Sequence, residues 1–444
     1  MRQGLSQLHL KFKISFKESW GCDKLKENFK NINPVVKMKQ YRPILDWIDQ
    51  QQHSMLDLVI KWSKINSHTF NLDGLRILSR EIVKSFRALK ANIDIINLPP
   101  VELITKKGEK KFHPLGQAIK ISKRSFAPHQ IFLVCHMDTV YPRNTTKYVT
   151  KLMRKNILRG PGVTDAKGGI VVLLKTLEAL ERSPFKEEIG WQVLINPDEE
   201  IGSPGSKKIL KQSAQRNHFG LVFEPCLPNG YLVGERKGSG NFTIIVKGRS
   251  AHAGRDPHLG RNAINVLAKC VVKINALNNI RPGLTVNVGV IEGGQAINVV
   301  PDLAIAKFNV RIKSLKDWEF ISEKLNNIIL KFSKMNGISI KLHRGGFISP
   351  KNFDDKTQNL FNNVKQCAKE VGFDIHWRPT GGVCDGNRLA AFGLPNVDTM
   401  GVRGGDIHSP NEYLYVDSLT QRAKLTALFL MKLGAGEFPK WQRR

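Results

Sequence analysis

At 444 residues the chain is too long for one ordinary core, and its 41% hydrophobic and 24% charged composition is that of a globular protein of two or three domains. The formal net charge is +31, yet Lys and Arg are scattered without a polybasic block. That balance points to a generally cationic proteome or an anionic substrate, and away from nucleic acid. The six cysteines are widely spaced with no Cys-x-x-Cys, which excludes a disulfide framework and a zinc ribbon. No apolar run is long enough to cross a bilayer.

Residues 1–40 differ from the rest. Residues 11–17 alternate apolar and polar, which permits a short strand, and the stretch lacks the apolar core of a secretory signal. Met38 is the expected native start, and the upstream stretch is expected to be a poorly ordered extension. A cytoplasmic location follows from the same reading. From Tyr41 to about Ile65 apolar residues fall at helical spacing. A turn at 71–74 then offers Asn71 or Asp73 as cap for a helix from Leu75 to Leu89. Strand-like pieces follow at 101–105 and 118–122.

The stretch Ile131-Phe132-Leu133-Val134-Cys135 reads as a strand buried on both faces, and it ends in His136-Met137-Asp138. Alternate residues of a strand share a side, so His136 and Asp138 leave its carboxyl end together, where ligands bind in open α/β sheets. A Gly/Pro-rich loop at 159–169 places Asp165 just before a buried helix, as either an N-cap or a ligand. The strand 191–196 runs into Asp198-Glu199-Glu200, adjacent carboxylates that repel unless a cation is present. The strand 220–223 ends in Glu224. Three strand ends and one loop thus deliver His136, Asp138, Asp165, Glu199, Glu200 and Glu224, a set suited to two cations.

Residues 234–347 read as a separate βαββαβ unit, a small antiparallel sheet with helices on one face. His252 follows its first strand in Gly-Arg-Ser-Ala-His-Ala-Gly. Glycines at 234, 238, 345 and 346 are expected to give the crossings hinge freedom. Helical and strand patterns then resume, and His408 lies in a Gly-rich loop before a final helix at 416–433, a candidate nitrogen ligand for a second metal.

Together these stretches resemble the dinuclear-zinc aminoacylase and carboxypeptidase G family, which includes glutamate carboxypeptidase, acetylornithine deacetylase and succinyl-diaminopimelate desuccinylase. The match rests on Cys-His-Met-Asp-Thr-Val-Tyr, Gly-Pro-Gly-Val-Thr-Asp-Ala-Lys-Gly-Gly, Asn-Pro-Asp-Glu-Glu-Ile-Gly-Ser, Phe-Glu-Pro, the His252 segment, Asn-Val-Val-Pro-Asp and the His408 loop, in the family's order. It covers residue 41 to the C-terminus, and the carboxypeptidase G branch is nearest. The resemblance implies an α/β catalytic domain with a mixed, mostly parallel sheet and helices on both faces, formed by 41–234 and 346–444. An inserted α+β lid and dimerisation domain would span 235–345.

It further implies two zinc ions per subunit, with cobalt or manganese as alternatives. His136, Asp165 and Glu224 would hold one, and Asp165, Glu200 and His408 the other. Asp138 would orient His136, and Glu199 would act as general base on a metal-activated water. His252 would stabilise the oxyanion from the partner of a homodimer. Asn298 and Arg311 would hold the substrate carboxylate, with Gly382 and Arg403 as further substrate-binding candidates. The Asp165–Ala166 peptide is expected to be cis.

The implied substrate is a small molecule or peptide with a free carboxylate, cleaved at the amide of an N-acyl or peptidyl amino acid. The alternatives are a deacylase of the acetylornithine deacetylase type, a non-catalytic zinc-binding protein, and, on charge alone, a nucleic-acid binder.

Overall fold

The structure, a computed structural model, describes residues 38–143, 149–153, 156–439 and 441. The strand expected at 11–17 lies outside them. The chain divides into two units, Met1–Pro43 and Ile44–Arg444, and the second carries both sheets and the site described below.

Its larger sheet has six strands in the order Asn92–Asn97, Gln117–Lys123, Ile189–Asn196, His129–His136, Phe219–Val222 and Asn396–Val397. Only Gln117–Lys123 runs against its neighbours, and the remaining contacts from Ile189–Asn196 outward are parallel. Every residue of His129–His136 and Ile189–Asn196 is buried, as continuous apolar runs in a sheet covered on both faces should be. Phe132, Val134, Leu194 and Val222 pack with Leu210 of the helix Lys207–Arg216 and Leu389 of the helix Asp385–Ala391. On the opposite face Cys135 meets the start of the helix Gly168–Arg182, where a Cβ on Gly169 would lie 3.2 Å from its sulfur. All five cysteines among the described residues are buried and free.

The second sheet is antiparallel, in the order Thr285–Gly293, Leu303–Ile312, Gly238–Lys247 and Ser339–Ile348. The helices Ala263–Asn275 and Leu315–Ser333 share one core with one face of it, built from Phe242, Ile244, Val246, Ala306, Phe308 and Val310 among others. This is the expected βαββαβ unit. The glycines expected to loosen its crossings do something else. Gly234 and Gly238 sit in strands where a Cβ would lie 2.6 Å from Trp377 and 2.8 Å from Pro350, so they permit close packing. Gly345 and Gly346 lie inside the strand Ser339–Ile348.

Three local expectations shift. The helix expected over 41–65 is two, Arg42–Asp49 and Gln52–Ser63. Asn71, rather than Asp73, caps the helix Leu72–Phe86 through Gly74 N–H. The piece expected at 101–105 is the strand Val101–Ile104, which pairs as a hairpin with Lys110–His113, a strand not expected from the sequence.

Candidate metal centre

Strand register sets the site. His136 pairs with Asn196, and Val134 pairs with Val222, so three parallel strands end level. Their carboxyl ends release His136, the Asp198–Glu200 segment and Glu224 to one place. The loop before the helix Gly168–Arg182 brings Asp165 to the same place, through an Asp165–Ala166 peptide that is cis, as expected. His408, at a left-handed φ of 62°, closes the group.

The distances show what converges. His136 Nε2 lies 3.0 Å from Asp165 Oδ1 and 3.7 Å from Glu224 Oε1. His408 Nε2 lies 3.2 Å from Asp165 Oδ2 and 3.2 Å from Glu200 Oε2. The two oxygens of Asp165 therefore face two different histidines, as a carboxylate shared between two cations does. The side chain of Asp165 does not cap the following helix. His136, Glu199 and Glu224 form one group whose donor atoms lie within 4.8 Å of one another, and His136, Asp165 and Glu200 form another.

Asp138 organises two elements. Its carbonyl lies 3.0 Å from His136 Nδ1, with its carboxylate at 3.4 Å in support. The carboxylate also accepts the amides of Glu199 and Glu200, at 3.1 and 3.2 Å, and the Thr69 hydroxyl at 2.8 Å. One side chain thus aims the histidine and pins the loop that carries both glutamates.

The charge balance tests whether metal fits. Burial pushes the Glu199 carboxyl well above the carboxylate range, and the neighbouring Glu224 adds to it. Burial likewise raises Glu200, and raises Glu224 to about 8. For Asp165 burial opposes ionisation, but hydrogen bonds from His136 and His408 outweigh it and hold the group low. Hydrogen bonds to Asp165 and Glu200 carry His408 up to about 10. Four carboxylates thus crowd a buried pocket with two imidazoles as their nearest cationic partners, and both His and carboxylate are established ligand types for zinc. The residues fit a pair of divalent cations.

Asp165, Glu199, Glu200, Glu224 and His408 line a cleft of about 800 Å³ between the two sheets. Arg311 and Gly382 line it as well. Arg311 Nη1 is buried there without a hydrogen-bond partner. Arg403 is not among the lining residues. Its guanidinium pairs with Asp417 at 2.9 Å and lies over the Tyr415 ring, so the structure does not bring it to the cleft. His252 and Asn298 are also absent from the lining; both are exposed and adjacent, with Ala253 N–H donating to the Asn298 carbonyl at 2.9 Å.

The pattern of Peptidase family M20/M25/M40 matches residues 132–432. The chain belongs to this family. It is 27% identical over 315 residues to carboxypeptidase G2 of Pseudomonas sp. (strain RS-16), covering 69% of this chain and 74% of that one. It is 26% identical over 322 residues to succinyl-diaminopimelate desuccinylase of Nitrosospira multiformis, covering 68% and 83%. Among solved structures, the M20 metallo-carboxypeptidase Sso-CP2 from Sulfolobus solfataricus superposes with a TM-score of 0.68 at 17% identity, covering 86% of this chain and 99% of that one. The protein is a hydrolase of the family's metallopeptidase type, with its catalytic plus dimerisation-domain fold. No helix among the described residues is long and apolar enough to cross a membrane.

Sequence reading missed several residues around the centre. Glu412 sits four positions after His408, and its carboxylate accepts the amides of Gly162, Thr164 and Asp165. Arg388 donates to the Gly202 carbonyl beside the Glu199 loop. Arg236, in the cleft lining, is held by Asp398, which also binds Lys351. The spacing of Glu412 from His408 was the one signal available in the sequence.

Proposed function

We propose that the protein is a zinc-dependent exopeptidase of the carboxypeptidase G kind, hydrolysing the amide bond of an N-acyl or peptidyl amino acid with a free carboxylate. The observation that carries the reading is Asp165 set between His136 and His408, with Glu200, Glu224 and Glu199 around it. His136, Asp165 and Glu224 would hold one zinc, and Asp165, Glu200 and His408 the other. A bound pair supplies Lewis-acid polarisation and a water of lowered pKa.

The chain's own residues do the rest. Glu199 takes a proton from the attacking water and delivers it to the leaving nitrogen. Burial beside Glu224 raises its proton affinity above that of a free carboxyl. Asp138 keeps His136 oriented and the Glu199 amide in place.

Of the four Lys and Arg residues lining the cleft, Lys307 donates to the Ile104 carbonyl, Arg236 is committed to Asp398 and Arg388 to Gly202. Arg311 keeps a free N–H, which supports a role in gripping the substrate carboxylate. We also infer that residues 235–345 form a lid that makes a homodimer. His252 Nδ1 accepts the amides of Gly254 and Arg255 at 3.2 and 3.1 Å, which leaves the neutral ring its proton on Nε2, the tautomer an oxyanion donor needs.

The test is a released-amine screen over N-acyl amino acids and C-terminal glutamyl amides with zinc added. Zinc-dependent release confined to the acyl amino acids would favour a deacylase; no release from any member, with full metal, would overturn the reading.

A further inference from the structure

The helix Ser418–Gly434 is buried on nearly every side, and its second turn carries Arg422, a fully buried residue. A guanidinium stays charged inside a protein, so burying one is costly unless an anion and enough acceptors go with it. Other buried cations of the chain meet that need. Arg236 and Lys351 share Asp398, and Lys432 meets Glu370 at 2.6 Å. Arg422 meets no carboxylate among the described residues. Its Nη2 donates to the Gly230 carbonyl at 2.8 Å, while its Nε and Nη1 are buried without a partner. The ring of Phe373 lies 5.4 Å from the guanidinium carbon and brings no counter-charge. Burial pushes the pKa of Arg422 down; the Cys226 thiol opposes the fall, and the neighbouring Arg403 adds to it.

Arg403 belongs to the same place. Its backbone bridges to Cys226 in parallel register, and Cys226 N–H donates to the Val402 carbonyl at 3.1 Å. A Cβ on Gly230 would lie 3.1 Å from Arg422 Nη2 and 3.5 Å from Arg403 Cδ, so both side chains pack on the turn of residues 227–230. Asp417 accepts two hydrogen bonds from Arg403 Nη2, at 3.0 and 2.9 Å, and balances its charge. Arg403 Nε is nevertheless buried without a partner.

Two guanidiniums on one turn thus hold three buried nitrogens with nothing to donate to, and one positive charge with nothing to balance it. Water answers this poorly. It accepts two hydrogen bonds, brings two hydrogens that need acceptors of their own, and leaves the charge in place. A small anion accepts from all three nitrogens and cancels the charge. We propose that Arg422 and Arg403 hold one small monovalent anion, of the size of chloride, beneath the turn of residues 227–230. The single charge follows because Asp417 already matches Arg403. The small size follows from the packing of Gly230, Cys226 and Phe373 around the Arg422 guanidinium. Arg403 keeps part of its side chain in solvent, which gives the anion its way in. The bound anion ties together the segment that follows Glu224, the segment that leads to His408 and the final helix. None of this depends on the reaction proposed above.

The test compares the full-length, zinc-loaded protein with Arg422→Met and Arg422→Lys, in sodium gluconate and in sodium chloride at one ionic strength. Gluconate is too large for the site, and fixed ionic strength holds the screening of the +31 surface constant. The parent's Tm should rise saturably as chloride replaces gluconate, because chloride binds the folded state. Arg422→Met should lose most of that rise. In gluconate it should melt no earlier than the parent, since an apolar chain replaces an unbalanced buried charge. Arg422→Lys keeps the charge without the guanidinium fork, and should need about tenfold more chloride for the same rise. An equal chloride response in the parent and Arg422→Met would mean general binding to the cationic surface, and overturns the proposal. Bromide diffraction on the parent alone decides the matter if a variant does not fold. An anomalous peak beside Arg422 is expected; peaks confined to surface lysines, an adventitious ion only, overturn the proposal as well.

Discussion

The carboxylate of Glu412 accepts the backbone N–H of Asp165 at 2.9 Å, while His408, from the same loop, meets the Asp165 side chain at 3.2 Å. One short segment thus holds Asp165 by backbone and side chain together. Glu412 also takes the amides of Gly162 and Thr164, at 2.9 and 2.8 Å, and the Tyr141 hydroxyl. Every oxygen of this buried carboxylate is used to shape the Asp165 loop.

Glu412→Gln turns one of those oxygens into a donor facing donors, at a cost of about 1–3 kcal/mol for the group left unpaired. The variant should melt earlier. It should also bind zinc about 10- to 100-fold more weakly, the usual loss when a residue supporting a ligand is altered. Competition against a chelator reads the affinity directly. A variant that melts earlier yet binds zinc as the parent does would show that Glu412 supports the fold and not the metal centre.

Glu199→Gln removes a proton acceptor and leaves His136, Asp165, Glu200, Glu224 and His408 in place. Zinc content should hold, and kcat should fall by about 10²–10⁴-fold. Full metal with retained turnover would remove Glu199 from the base role. His408→Ala should lower zinc content by one ion in preference to the other, because His408 meets only Asp165 and Glu200, whereas His136 meets Asp165 and Glu224. Loss of both ions, or of neither, would count against its assignment.

The cluster of His136, Glu199, Glu200 and Glu224 was legible in the sequence because these residues end or follow continuous apolar strands, and a buried strand ending in His or Glu is unusual on its own terms. Asp165 was ambiguous between cap and ligand, and only the structure shows its oxygens turned to His136 and His408. Arg403 was a substrate-binding candidate by resemblance alone, which says nothing about side-chain direction; Asp417 holds it elsewhere. The hairpin's docking on Ile245 and Ile305 joins segments far apart in sequence, so no local periodicity announces it. The Arg236–Asp398–Lys351 group was invisible for the same reason.

That group gives a stability prediction. Asp398 and Lys351 are fully buried at 2.6 Å, and Arg236 donates to both Asp398 oxygens at 3.0 Å. Burial alone would raise the Asp398 carboxyl, but Arg236 and Lys351 together hold it below the usual carboxylate range. Asp398→Asn leaves two buried cations unpaired and should cost about 3–5 kcal/mol. The pH dependence follows from the sign of the shift. A depressed folded pKa gives stability that is complete above the unfolded value, about 3.9, and is lost as pH falls through the folded one. The Tm gap between parent and variant should therefore be widest near neutrality and narrow at acid pH below that value. A gap independent of pH would mean that the carboxylate charge is not what stabilises the group.

The last prediction concerns His252. It is absent from the lining of the cleft, on an exposed segment bridged to Val299, with its Nδ1 taken up by the amides of Gly254 and Arg255. The expectation that follows is a role at the metal centre of another copy of the chain. The strand Thr285–Gly293 stands at the edge of the small sheet, with Val290 and Ile291 exposed along it, and an edge of this kind pairs isologously to close a dimer. If His252 serves the partner's site, His252→Ala and Glu199→Gln should each be inactive alone and active when mixed. After dissociation and reassociation, each mixed dimer carries one site with both groups intact and one with neither. With random reassociation about half the dimers are mixed, and each has one working site of two, so about a quarter of parental activity should return. Native mass spectrometry establishes that mixed dimers have formed. No recovery from demonstrated mixed dimers, or full activity in a monomer, would mean that His252 acts within its own chain or takes no part in the reaction.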